Sequence, residues 1–457
     1  MQQLLGPDYC SFEQALTATP PVSVRVNLQK LAMPASLPQV PWSASGAYLP
    51  VRPLFTLDPL LHAGAYYVQE ASSMFLEQAI RQTLDLEQSF QVLDLCGAPG
   101  GKSTHLASLF SEDSLIVSNE VIRSRASILA ENVTKWGSGN VVVTSNDPRD
   151  FGRLPDFFDV MVVDAPCSGE GMFRKDPQAI QEWSEENVKL CAQRQQRILM
   201  DVWDALKPGG ILIYSTCTWN EAENEQNIAW LSEQEQAESI KLELKPAWGV
   251  KATQLNGIEG YRFYPHQVQG EGFFMAVVRK AGTPDLHNKQ SKKKKYKLTL
   301  AGKKEQALVQ DWLINSDNLH LVQYGEVLSA IPASHFDNID ALYQNLYVIY
   351  AGTEVAEVNG KKLKPMHGLA LSRYLNKAHF NTIDSDLELA LRYLRKEDIS
   401  LGAPGNDWVL ITYKNIPLGW AKQIGNRVNN YFPKEWRIRM DLPQEISEAS
   451  VFSLGGL

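Results

Sequence analysis

The feature that most constrains the fold is an alternation, between residues 66 and 281, of short apolar runs with helical stretches. The runs are Gln91–Leu95, Leu115–Ser118, Val141–Thr144, Val160–Asp164 and Ile211–Ser215, each followed by a turn or a helical pattern. Short apolar runs bounded by turn signals read as buried strands, and their alternation with helices predicts right-handed βαβ crossovers and a mainly parallel sheet. Lys207-Pro208-Gly209-Gly210 reads as a turn feeding the run at 211, and Phe273–Arg279 as a late strand that closes the sheet in a hairpin-like edge.

At 457 residues the chain exceeds what one hydrophobic core holds, so at least two domains are expected. Residues 1–65 combine a helical start, the alternating run Val22–Leu28 and a proline-rich passage through Pro41, Pro50, Pro53 and Pro59, which reads as a small leading module. The α/β domain follows over 66–281, then a lysine-rich linker at 282–298 with five lysines in Ser291–Lys297. Two small α+β modules are expected beyond it, at 299–390 and 391–457.

The 44% hydrophobic and 21% charged residues exclude a disordered chain, and no apolar run approaches the roughly 18 residues of a membrane span. The first five residues lack the basic and apolar pattern of a secretory signal, so a cytoplasmic location is expected. Five cysteines without CxxC spacing argue against a disulfide framework or a structural metal, and none is expected. The net charge of −8 conceals a division: residues 287–457 hold 22 basic against 18 acidic side chains, a balance of +4, leaving −12 for residues 1–286.

The strongest local signal is the strand, glycine-rich turn and helix start spelled by Val92 to Ser103. Glycines let the backbone approach a ligand, and free N–H groups at a helix start favour a carboxylate or similar group. A phosphate-binding Gly-x-x-x-x-Gly-Lys-Ser loop fails here because Cys96 stands five before Gly101. Glu120 ends the next strand, where such sheets hold ribose hydroxyls, and Asp147 follows the third strand at the same edge. A surface glutamate and an ordinary Asp-Pro turn are the plainer readings of these two. The fourth strand runs into Asp164-Ala165-Pro166-Cys167-Ser168-Gly169 and the fifth into Thr216-Cys217-Thr218, so two cysteines reach one edge of the sheet. Either alone would read as a small buried hydrophobe. Cys96 and Cys191 read as packing residues.

Asp94–Lys102, Asp164–Gly169, Phe173-Arg174-Lys175-Asp176-Pro177 and Ser215–Thr218, in this order, resemble the Nop/Sun family of RNA cytosine-C5 methyltransferases. The resemblance implies a Rossmann-like methyltransferase core of seven strands, an RNA-binding role for the leading module at 1–65, a PUA-like RNA-binding domain at 391–457, S-adenosylmethionine as methyl donor and 16S rRNA or the 30S subunit as partner, with the chain expected to act as a monomer. It assigns Cys96, Gly97, Ala98, Pro99, Gly100, Gly101, Lys102, Glu120, Arg125, Asp147 and Asp164 to the donor pocket. It makes Cys217 the nucleophile at cytosine C6, Cys167 the group that assists product release and Asp164 the partner of cytosine N3. Lys175 is taken as the cation that depresses the Cys217 pKa. DNA cytosine methyltransferases attack with the cysteine of Pro-Cys, here Cys167, so Thr216-Cys217 points to RNA.

An RNA substrate needs a gripping surface, and Lys414, Lys422, Arg427 and Arg437 lie in a segment interleaved with Trp420, Tyr431 and Trp436. A solvated strand face is the plainer reading of that segment. The alternatives to 16S rRNA methylation are a tRNA substrate, a non-catalytic rRNA-binding assembly factor and a methyltransferase of proteins or small molecules. The intact cysteine pair and the basic, aromatic tail argue against the last two.

Overall fold

The structure is a computed structural model that describes residues 1–283, 295–359, 362–402 and 404–442; Lys292 to Lys294 of the expected linker and the chain beyond 442 lie outside the described residues. Its centre is one large twisted sheet. The strands labelled here are β1 (Gln91–Asp94), β2 (Leu115–Asn119), β3 (Val141–Thr144), β4 (Phe158–Asp164), β5 (Leu206–Thr216), β6 (Lys251–Leu255), β7 (Ile258–Phe263), β8 (Phe273–Arg279) and β9 (Val348–Ala351). They lie in the order β6-β7-β8-β5-β4-β1-β2-β3-β9, with the short strand Glu238–Ser239 beside β8. Strands β1 to β5 are mutually parallel, whereas β8 runs antiparallel to β5 and β7 to β8. These seven are the Rossmann-like core, and β6, β9 and Glu238–Ser239 extend its flanks.

The strand sequences are apolar throughout because both faces are covered. Leu93, Val117, Met161, Val163 and Leu212 enter one core, while Val92, Ile116, Val160, Val162 and Ile213 enter the other. Helices α1 (Gly101–Leu109), α2 (Arg123–Trp136), α3 (Glu185–Trp203) and α4 (Glu225–Glu235) make the crossovers. The Lys207–Gly210 segment is part of β5 rather than a turn before it. Its register slips against β4, and Lys207 pairs with Asp159 at 2.6 Å while Gly209 bonds to Lys280, so the glycines bulge without leaving the sheet.

The N-terminal region forms a three-stranded antiparallel sheet from Val22–Val26, Gly46–Leu49 and Tyr66–Val68. Residues 299–365 build a five-stranded sheet, yet the same stretch lends β9 to the central sheet, antiparallel to β3. A four-stranded sheet follows, with Asn381–Ser385 parallel to Trp408–Tyr413 and then Ile416–Ile424 and Arg427–Asn430; it starts ten residues before position 391. Its core is shared with the chain's beginning: Val24, Val26 and Leu60 pack with Leu391, Leu394, Ile411 and Leu418. No helix among the described residues is long and apolar enough to cross a membrane.

Candidate active site

The carboxyl ends of β1, β2, β4 and β5 converge on one edge of the sheet. From β1 the chain enters the loop Leu95–Gly100, in which Gly100 takes φ +121°, a conformation that favours glycine. Gly97 has little room: a Cβ there would stand 2.8 Å from Ser103 Oγ. The loop is braced from outside, since Arg125 donates to Ala98 O at 3.1 Å and Asn132 to Pro99 O at 2.7 Å. It is braced from behind by the buried Arg25, which donates to Gln69 Oε1 at 2.8 Å and Gly101 O at 3.3 Å. A cleft of about 160 Å3 opens in front, lined by Tyr67, Gln69, Glu70, Cys96–Pro99, Lys102 and Asp164.

Beneath the loop Asp94 is fully buried; Ser103 Oγ donates to its Oδ2 at 2.6 Å, while its Oδ1 has no hydrogen-bond partner. Burial pushes its carboxyl up to about 7, against the opposing pull of Ser103 and Lys102. Lys102 lies 2.8 Å from Asp164 Oδ2, and Ser215 Oγ donates to Asp164 Oδ1 at 2.8 Å. Burial works against the Lys102 charge, but Asp164 holds its pKa above the ordinary lysine value. Glu120 is buried at the end of β2, accepts from Ile122 N at 3.0 Å and pairs with Arg125 at 3.2 Å. Asp147 caps the short helix Pro148–Arg153, accepting from Arg149 N.

Cys167 and Cys217 meet at the same edge. Asp164 stands in register with Ser215, so three residues beyond one and two beyond the other bring the two Sγ atoms to 3.1 Å. The hydrogen bond to Cys217 and then burial push the Cys167 thiol well above its ordinary pKa, which keeps it protonated at neutral pH. The Cys96 thiol is also pushed up, by burial first, so it is inert as a nucleophile. Lys175 does not face Cys217 as expected from the sequence: it lies 3.7 Å from Glu271 on the rim of another groove. The Lys102 ammonium interacts electrostatically with Cys217.

Two acids that the sequence reading passed over hold the cysteine loops together. Glu223, fully buried, accepts from Ser168 N at 2.9 Å, Gln195 Nε2 at 2.8 Å and Asn220 Nδ2 at 2.7 Å. Glu170 accepts from Trp219 N at 2.7 Å, Asn220 N at 3.0 Å and Trp183 Nε1 at 3.1 Å. Ser168 and Thr218, each next to a cysteine, share a hydrogen bond of 3.1 Å. The one available signal was position: Glu170 and Glu223 follow the two cysteines by three and six residues.

The C-terminal basic segment lies elsewhere, on the four-stranded sheet. Lys414 occupies the turn after Trp408–Tyr413, Lys422 lies over the Trp408 ring, Arg427 opens the last strand and Arg437 donates to Lys434 O. Trp420 is not available for stacking on bases, because it is buried and its Nε1 donates to Met366 O. The partly exposed ring pair is instead Trp408 and Tyr431, 4.7 Å apart, with Lys422 and Lys364 over their faces.

Three family descriptions match the chain: the N-terminal domain of 16S rRNA methyltransferase RsmF at residues 1–71, 16S rRNA methyltransferase RsmB/F at 81–279 and the methyltransferase RsmF PUA domain at 380–438. Ribosomal RNA small subunit methyltransferase F of Pectobacterium atrosepticum is 32% identical, with 90% of this chain and 89% of that protein aligned. The protein of the same name from Citrobacter koseri is 34% identical over 94% and 93%. A crystal structure of a methyltransferase homologue from Pyrococcus horikoshii aligns with a TM-score of 0.52 and 30% identity, over 61% of this chain and 92% of that one.

Proposed function

Because the chain belongs to the RsmB/F family of 16S rRNA methyltransferases, we propose that it transfers a methyl group from S-adenosylmethionine to C5 of a cytosine in 16S rRNA. The observation that carries this reading is the 3.1 Å approach of Cys167 and Cys217 beside the glycine-rich cleft. The residues about the cleft suit the methyl donor: Lys102 lines it and would take a carboxylate, while Asp94, buried beneath the loop with its Oδ1 unpartnered, and Glu120, buried after the next strand, would take an ammonium and ribose hydroxyls. In this reading Asp147 and Arg125 contribute to the adenosine side of the donor pocket. When bound, S-adenosylmethionine supplies an electrophilic methyl group.

Cytosine C5 is a weak nucleophile, and the chain's own residues make it a stronger one. The Cys217 thiolate adds to C6, and the ring electrons move toward C5, where the methyl is accepted. As C6 is attacked N3 takes up a proton from solvent, and the Asp164 carboxylate, fixed by Ser215 and Lys102, accepts a hydrogen bond from that N3–H. Cys167 remains a thiol in the resting site, so it does not compete for C6. Water takes the C5 proton, Cys217 leaves with the C6–S electron pair, the proton held at N3 returns to solvent and aromaticity is restored; Cys167 assists that release. Lys102 steadies the thiolate, the role first given to Lys175.

Reaching C6 requires an unstacked base, which costs a few kcal/mol in a duplex. The lysines and rings of the four-stranded sheet supply binding energy to offset it. The test is a pair of variants incubated with unmodified 16S rRNA. Cys167→Ala traps a protein–RNA adduct resistant to denaturant, and Cys217→Ala gives neither adduct nor 5-methylcytosine. An active Cys217→Ala enzyme overturns the assignment, and bisulfite mapping of rRNA from a deletion strain reads whether cytosine C5 is the target.

A further inference from the structure

The methyl-transfer site leaves one broad groove without a role. It has a volume of about 870 Å3 and lies between the N-terminal module and the segment that follows the Cys167 loop. Its lining is mixed, with Pro20, Pro21, Pro50 and Pro265 beside the polar Thr19 and Gln269. Arg52 and Lys175 are exposed on its rim, and none of the described residues that line it is acidic.

The groove is built rather than incidental. Arg174, nearly buried, donates to Glu271 at 2.9 Å, Gly270 O at 2.7 Å and Ala15 O at 3.4 Å, which ties the loop to the N-terminal helix and uses up that cation. Its neighbour Lys175 forms an ion pair with Glu271 at 3.7 Å and stays about one-third exposed, so its charge still reaches the rim. The same loop is anchored to the nucleophile's backbone, since Gly171 N donates to Cys217 O at 2.8 Å. The rim is therefore continuous with the cysteine edge of the sheet.

Cations beside proline rings and aliphatic side chains suit a polyanion whose other faces are apolar rings, which describes a single RNA strand; a duplex hides those rings. We propose that this groove holds the single-stranded nucleotides flanking the target base, Arg52 and Lys175 on their phosphates and the proline rings against their bases. The proposal rests on the reading of the chain as an rRNA methyltransferase and gives that site its substrate path.

The test uses the full chain carrying Arg52→Gln, Lys175→Gln or both, with Lys304→Gln, an exposed lysine outside the groove, as control. Anisotropy of a labelled single-stranded 16S fragment and steady-state methylation of unmodified 16S rRNA are read in parallel. The double variant is expected to raise Kd and KM for RNA at least tenfold. Its salt slope should fall by about one for each phosphate that is no longer neutralised. The values of kcat and of Kd for S-adenosylmethionine should stay within twofold, as in the control. Unchanged RNA affinity and salt slope overturn the groove, as does a fall in kcat without a change in KM. Should the wild-type chain methylate no rRNA, the functional reading fails, while the anisotropy arm still decides whether the groove binds RNA.

Discussion

At the scale of single residues, the site separates groups that must carry charge from groups that must not. Lys102 and Asp164 are paired at 2.8 Å, whereas Cys167 and Asp94 are pressed toward their neutral forms. For Asp94 this has a thermodynamic sign. Its folded-state pKa of about 7 exceeds that of an unfolded aspartate, so stability present at acid pH is lost as pH rises through 7. The full shift corresponds to a ceiling on the order of 4 kcal/mol. Asp94→Asn keeps the acceptor for Ser103 and removes the buried charge. Its Tm should exceed that of the wild type by a margin that grows from pH 5 to pH 8; thermal melts showing a constant offset would contradict this account. Such a penalty persists in a fold when a ligand needs the group.

At the scale of elements, two loops from adjacent strands act as one unit because buried acids bridge them. Glu223 satisfies three donors from three segments, and a neutral substitute cannot accept from all of them. Glu223→Gln should lower the single-turnover rate tenfold or more and leave S-adenosylmethionine affinity unchanged; an equal loss of both would place its effect on the donor pocket instead. Glu223→Ala, which strands those donors, should cost about 3 kcal/mol of stability or more, measured by urea unfolding. The strands that carry the cysteines were legible because a doubly covered parallel strand is written as an unbroken apolar run, as in Val160–Asp164. The staples were not, because a buried glutamate and a surface glutamate look alike until their donors are located. The cation beside Cys217 was not legible for a similar reason: nothing in the order of residues says whether Lys102 or Lys175 turns toward that thiol. Trp420 shows the converse, a ring in a basic segment that the pleat points into the core.

At the scale of the whole molecule, the segments are interlocked, which alters how RNA binding must be probed. Cutting at residue 299 removes β9, frees the Val141–Thr144 edge and strips the partners of Val24 and Leu60. The resulting fragment should lose at least 10 °C in Tm or aggregate, which would obscure any effect on RNA; a fragment that melts like the full chain would show the segments to be independent. Charge substitutions at Lys414, Lys422 and Arg427 in the intact chain are the cleaner probe and should weaken RNA binding with a shallower salt slope. The interlock also sets an order of events during synthesis. A ribosome releases the chain from its beginning, so the parallel sheet complete by residue 279 waits with one flank bare until Val348–Ala351 leaves the exit tunnel. The pace of translation thus sets how long that bare edge is open to stray pairing, and a pause between residues 280 and 350 would lengthen the exposure.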